Sequence, residues 1–262
     1  MPTTYAHDLF GKMVYHRVNE ELQRLILQHK TAYQIGLHGP DILFYVRPFH
    51  KNRINELGQR MHEEQASVFF RHAKKIYAQT KDPNVLAYLM GFVCHFMLDS
   101  TCHPYISEFM KITCAGHDEI ETELDRELMV RTEKNPFHYL PASVIQTESR
   151  SVQAIASVLE GISEKEVRQA LRGIQFYTGI TVCNRPWKRC WLLNLAKLAG
   201  IYPLVQGRVM RRLPREYCKK STEELCRMFY LTVPETVTVL EEFYRYRDDP
   251  EELCCRFNRN FI

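Results

Sequence analysis

The stretch GFVCHFMLDSTCHPYI, residues 91–106, decides the fold and carries the densest chemistry in the chain. His95 and Asp99 stand four residues apart in an apolar run, and His103 follows four residues after Asp99. In a helix, residues i and i+4 project from one face, a turn apart. Phe92, Val93, Phe96, Met97 and Leu98 surround these polar positions, so the helix is expected to be buried. A buried carboxylate beside buried imidazoles is costly unless something neutralises it, and a metal ion does so. Beyond a short loop, HDEIETELDRELM at 117–129 repeats the spacing with His117 and Glu121, and Asp125 lies a turn further on. A surface i,i+4 pair accounts for His117–Glu121 alone. It does not account for His95–Asp99 among apolar neighbours, so metal coordination is the reading for these five residues together.

Working outward, 262 residues are ample for a sizeable core, and the linkers are too short and apolar to mark a boundary. One domain spanning 1–262 is therefore expected. Hydrophobic residues at 45% and charged residues at 25% are ordinary for a globular soluble protein. Glycine is sparse and short alternating runs are few, so the expected class is all-α, a multi-helix bundle. The start lacks a basic segment followed by an apolar core, and no run of eighteen apolar residues occurs, so neither a signal peptide nor a membrane span is expected. Nine cysteines without framework spacing read as free thiols in a reducing cytoplasm.

Upstream, an amphipathic run from Leu9 to His29 predicts one helix, with His7 just before it. Gly36, Gly39 and Pro40 break the pattern, and Asp41 follows at the end of a loop, where an N-cap role is the alternative to ligation. Residues 53–79 predict a second helix containing His62. Asp82–Pro83 opens the helix that carries His95, and His103–Pro104 is expected to end it. Downstream, helices are predicted over 143–160, over 163–177 behind a Ser163–Glu166 capping box, over 187–200, and over 222–246 with a kink at Pro234. A short helix is expected after Pro250. Between Arg185 and Lys220, ten residues are Lys or Arg and one is acidic. That run reads either as a solvated basic face or as a surface meeting phosphate or anionic lipid.

Taken in order, His7, the GPD ending at Asp41, His62, HFMLD with His103, and HDEIE resemble the zinc-dependent phospholipase C family, which shares its fold with fungal single-strand nucleases. The resemblance covers residues 1 to about 130. It implies an all-helical fold holding two to three zinc ions, with Asp41, His62, His95 and Asp99 on one. His103, His117 and Glu121 are implied for a second, while His7 and a bridging Asp99 share the third. Two features depart from the family pattern. Secreted members supply an amino-terminal tryptophan to the third zinc, where this chain offers Pro2 only if Met1 is removed. The step from Asp99 to His103 is four residues rather than six.

The resemblance implies metal-assisted hydrolysis of a phosphate ester, zinc lowering the pKa of bound water to about 7. Asp41 is the candidate for orienting or deprotonating that water, as the loop carboxylate nearest the expected opening. Asp125 and Glu123 are candidates for orienting His117 or neighbouring ligands. The implied substrate is a phospholipid or related phosphodiester, with an anionic membrane surface met through Arg185–Lys220. Nucleic acid is the alternative substrate, and a helical metal-binding protein without catalysis is the non-enzymatic one. Ile42 stands where phosphatidylcholine-cleaving relatives have an aromatic, so choline specificity is not implied. Phe44, Tyr45, Phe49 and Tyr105 are available as apolar or stacking surfaces.

Overall fold

The computed structural model describes residues 4–262, and the amine of Pro2 lies outside them. The first half holds α1 (Thr4–Tyr15), α2 (Glu20–Gln28), α3 (Lys30–Gly36), α4 (Arg53–Glu63), α5 (Ala66–Thr80), α6 (Pro83–Ile112) and α7 (His117–Arg131). The second holds α8 (Ser149–Val158), α9 (Glu164–Thr181), α10 (Pro186–Leu198), α11 (Tyr202–Val205) and α12 (Lys219–Arg245). No strand occurs among the described residues.

The helix α6 is the axis. Asp82 caps it by accepting from the Asn84 amide at 2.8 Å, with Pro83 in its first turn. Its length and composition would let it cross a membrane, yet nearly all of its apolar window is buried inside the fold. It packs against α1, α3, α8 and α12. Glycine makes the tightest of these contacts possible: a Cβ on Gly36 would fall 2.1 Å from the Tyr88 carbonyl oxygen, and one on Gly91 2.1 Å from that of Tyr33. The α3 and α6 backbones therefore touch, and the chain leaving α3 turns directly over His95. At that turn Gly39 has φ of 46°, and a Cβ there would meet the His95 ring. One hydrophobic core runs from Tyr5 to Phe261, while Cys183, Leu193 and Val209 form a small separate cluster beneath α10.

Several expected boundaries differ. The Leu9–His29 run is two helices, because Asn19 caps α2 by accepting from the Leu22 amide at 3.1 Å. Asp41 caps no long helix and sits within a 3-10 segment, Gly39–Tyr45. The predicted 53–79 helix breaks at Glu64–Gln65, where the Ala66 amide donates to the Arg259 carbonyl at 2.9 Å, a contact supplied by the C-terminal tail. His103–Pro104 does not end α6, which continues to Ile112. Internal proline costs about 3 kcal/mol, and the burial of Ile106 and Phe109 beyond it offsets that cost. Pro234 is likewise inside α12, and after Pro250 only a 3-10 turn, Cys255–Asn258, forms. The Asp82–Pro83 start and the Ser163–Glu166 capping box occur as read from the sequence.

Candidate metal centre

Because α6 continues past Pro104, His95, Asp99 and His103 form a stripe two turns long on one buried face. His7 reaches it from α1. No acidic residue stands in the first turn of that helix, and its free amides are met from α7: Asp125 accepts from Ala6 at 2.9 Å and from Tyr5 at 3.3 Å. Asp125 thus fixes the helix that carries His7, rather than orienting His117. Burial pushes its carboxyl up to about 8, against the pull of those two amides.

Two groups of side chains result. In the inner one, His7, Asp41, His95 and Asp99 bring ligand atoms within 4.8 Å of one another, and all four are buried. Asp99 lies between two rings, its Oδ1 3.2 Å from His7 Nε2 and its Oδ2 3.2 Å from His95 Nε2. His62 stands just outside this group, its Nε2 3.0 Å from Asp41 Oδ1. In the outer group, His103 Nε2 and His117 Nε2 lie 3.4 and 3.1 Å from Glu121 Oε1. The two groups meet at Asp99, whose Oδ2 is 4.0 Å from His103 Nδ1.

Backbone carbonyls fix two of the rings. The Nδ1–H of His62 donates to Gly58 O and that of His103 to Phe261 O, both at 2.7 Å. Each bond leaves Nε2 facing the carboxylates, which is how metal-ligating imidazoles are oriented. Phe261 lies at the far end of the chain and also packs its ring on His62 and His95. Sequence spacing carries no sign of this role. His38 was also missed: it is buried, its Nε2 has no hydrogen-bond partner, and burial with the nearby His7 and His95 rings pushes it down to about 3.

The electrostatics suit a cation. Burial opposes the charge of Asp99, yet the rings of His95, His103 and His7 hold its carboxyl well below the usual range. Burial also opposes Glu121 and Asp41, which His117 with His103, and His95 with His62, hold down in turn. The rings move the other way: against burial, Asp99 raises His7 and Asp41 raises His62, while Asp99 and Glu121 bring His103 up to about 10. Glu121 raises His117. Without a metal, the carboxylates are balanced by protons on the rings, and a divalent ion would replace those protons. Buried His95 Nδ1 and Nε2, Asp99 Oδ2 and Glu121 Oε2 have no hydrogen-bond partner, so donors remain for such an ion. The set is nitrogen and oxygen, suited to zinc, and no cysteine belongs to either group.

His117, about a third exposed, is where this cluster meets solvent. It lines a groove of about 900 Å³ with Phe44, Phe49, Lys51 and Arg208. Asp41 is buried and does not line that groove, so the opening lies at His117 rather than at Asp41 as expected. Tyr45 and Phe49 line an adjoining apolar pocket of about 270 Å³, and Tyr105 lines neither space. The basic run is only partly a solvated face. Buried Arg215 pairs with Glu123 at 2.8 Å and Glu119 at 3.3 Å, while Arg208 pairs with Asp118 at 2.9 Å. Glu123 therefore anchors the basic segment to α7 and does not orient His117.

Fold and site together define the class: an all-α protein with a buried histidine–carboxylate cluster of metal-ligand type, open at one ring. Residues 2–166 match the family described as zinc dependent phospholipase C. The match covers more than half of the chain and extends beyond residue 130, and the protein belongs to that family of hydrolases. No curated protein and no solved structure gives a significant match.

Proposed function

We propose that this protein is a zinc-dependent phosphodiester hydrolase acting as a phospholipase C on a phospholipid or closely related phosphodiester. The observation that carries the reading is the sharing of Asp99 between His7 and His95, within reach of His103, in a cluster that opens through His117. Asp41, His95, Asp99 and His7, with His62 beside Asp41, would hold the inner ion or ions. His103, His117 and Glu121 would hold the outer one. Zinc bound there supplies a Lewis acid for the phosphate and a water acidified toward neutrality.

The chain's own residues do the rest. Lys51 lines the groove and brings positive charge toward a bound phosphate, while Arg208, paired with Asp118, forms part of the same wall. Phe44 and Phe49 give it an apolar wall for the leaving group. Asp41 Oδ1, 3.0 Å from His62 Nε2, holds that ring in place and accepts a hydrogen bond from it when no metal engages it. The apolar pocket next to the groove favours a lipid over a nucleotide chain. The nine free thiols accord with a reducing compartment such as the cytoplasm.

The zinc-loaded protein should release phosphorylated head groups from mixed phospholipid vesicles and no nucleotides from single-stranded DNA or RNA. Nucleotide release without head-group release would replace this reading with the nuclease one.

A further inference from the structure

Both tryptophans of the chain, Trp187 and Trp191, lie on α10, and they are 62% and 63% exposed. Leu195 and Leu198 continue the row at 47% and 87%. Successive helical residues turn by about 100°, so these four positions fall within a sector of roughly 80°. The opposite face is held down by buried Leu193 and Ala196. The helix thus turns an apolar stripe to solvent, where a surface helix ordinarily turns polar side chains. Four large apolar side chains in a row are not the scattered exposure of a soluble surface.

The segment that carries this stripe has charge of one sign. No Asp or Glu occurs between Glu166 and Glu216, an interval that contains ten Lys and Arg. Arg208 and Arg215 spend their charge on α7, but Arg185, Lys197 and Arg211 are exposed. The apolar surface also leads toward the chemistry. Leu195 belongs both to the stripe and to the pocket of about 270 Å³, and exposed Leu204 and Phe49 line both that pocket and the groove at His117.

We infer that α10 docks the protein on an anionic phospholipid bilayer, with Trp187 and Trp191 at head-group level. Indole rings on an exposed apolar stripe, within a basic segment, are the chemistry of a helix lying in a membrane interface. A lipid leaving the bilayer would then place its apolar part in the Leu195–Leu204 pocket and its phosphate at His117. The charge selects this occupant over a second copy, since self-association would oppose two basic segments. The inference takes its substrate from the phospholipase reading, but docking itself needs no turnover.

The two tryptophans make the fluorescence of the intact protein a local probe. With phosphatidylcholine vesicles containing about a third phosphatidylserine, emission should shift to the blue and the protein should float with the vesicles. Pure phosphatidylcholine should bind it at least about tenfold more weakly. The double variant Trp187→Ala/Trp191→Ala, in which only exposed side chains change, should keep its helical circular dichroism and lose flotation about tenfold or more. It should also lose turnover on vesicles while hydrolysing a short-chain, monomeric phospholipid within twofold of the parent. Absence of flotation, or flotation unchanged in the double variant, overturns the inference. So does a lipid-free dimer in sedimentation velocity that the same double variant abolishes. Flotation without hydrolysis of any substrate would leave the docking face standing and remove the phospholipase reading instead.

Discussion

The inner and outer groups use the same side chains to different ends. His7, Asp41, His95 and Asp99 are all sealed from water, and they come from α1, the 3-10 segment after α3, and α6. Removing one of them leaves a buried charge without its partner, which is among the costlier single changes a fold can suffer. The outer group shares buried His103 and Glu121 but exposes His117 to the groove. Its loss should disturb chemistry more than architecture. On the proposed function, burial would separate an ion site that joins helices from one that meets substrate.

The most severe test of this contrast is Asp99→Asn, which keeps the shape but weakens the inner-group carboxylate that lies nearest the outer group. It should lose at least one zinc, and turnover should fall by at least about 100-fold, the upper end for changes even to outer-shell partners. His138→Ala, at an exposed position away from the groove, should retain both zinc content and turnover, and His50→Ala, at the groove, should retain zinc content. Truncation after Asn260 removes the carbonyl that holds His103 and should weaken zinc binding by roughly 10–100-fold. Equilibrium dialysis against a zinc-buffering chelator reads that shift.

His117→Ala should sharpen the comparison from the other side. The outer zinc should be lost, while the unfolding free energy of the chelated protein changes by about 1 kcal/mol or less, as expected for a partly exposed pair. His95→Ala, at a fully buried position, should lower the melting temperature even in chelator. Equal melting temperatures for the two variants would erase the distinction between the groups.

A smaller effect lies in pH. The folded-state pKa of His103, about 10, is above its ordinary value near 6.5. In chelated protein its contribution is fully present below about 6.5 and is lost as pH rises through about 10. Asp99 and Glu121 have depressed values, so their contribution is present above the ordinary carboxylate range and is lost in acid. Zinc must displace ring protons, so its affinity should rise from pH 6 to pH 8. Calorimetry in buffers of different ionisation enthalpy should detect the protons released.

The chemistry was legible in the sequence where the ligands share a helix. His95, Asp99 and His103 are bound by periodicity alone, as are His117 and Glu121. His7, Asp41 and His62 were legible only through a family pattern, since no spacing rule links separate helices. Phe261 escaped, and Asp125 was expected in a different role, because each acts through a backbone group far away in the chain. Helix boundaries failed for a similar reason. The break before Ala66 depends on Arg259, and the persistence of α6 past Pro104 depends on burial of Ile106 and Phe109. A helix over 187–200 was expected, but only the structure shows that Trp187, Trp191, Leu195 and Leu198 face outward from it.

The central claim is that the His95–Asp99–His103 stripe organises a multi-ion zinc site. Elemental analysis of protein purified without chelator, normalised to protein concentration by amino-acid analysis, tests it most directly. The account predicts two to three zinc ions per chain, consistent with the two groups joined at Asp99. Less than one zinc per chain, in protein whose helical content matches the structure, would contradict it.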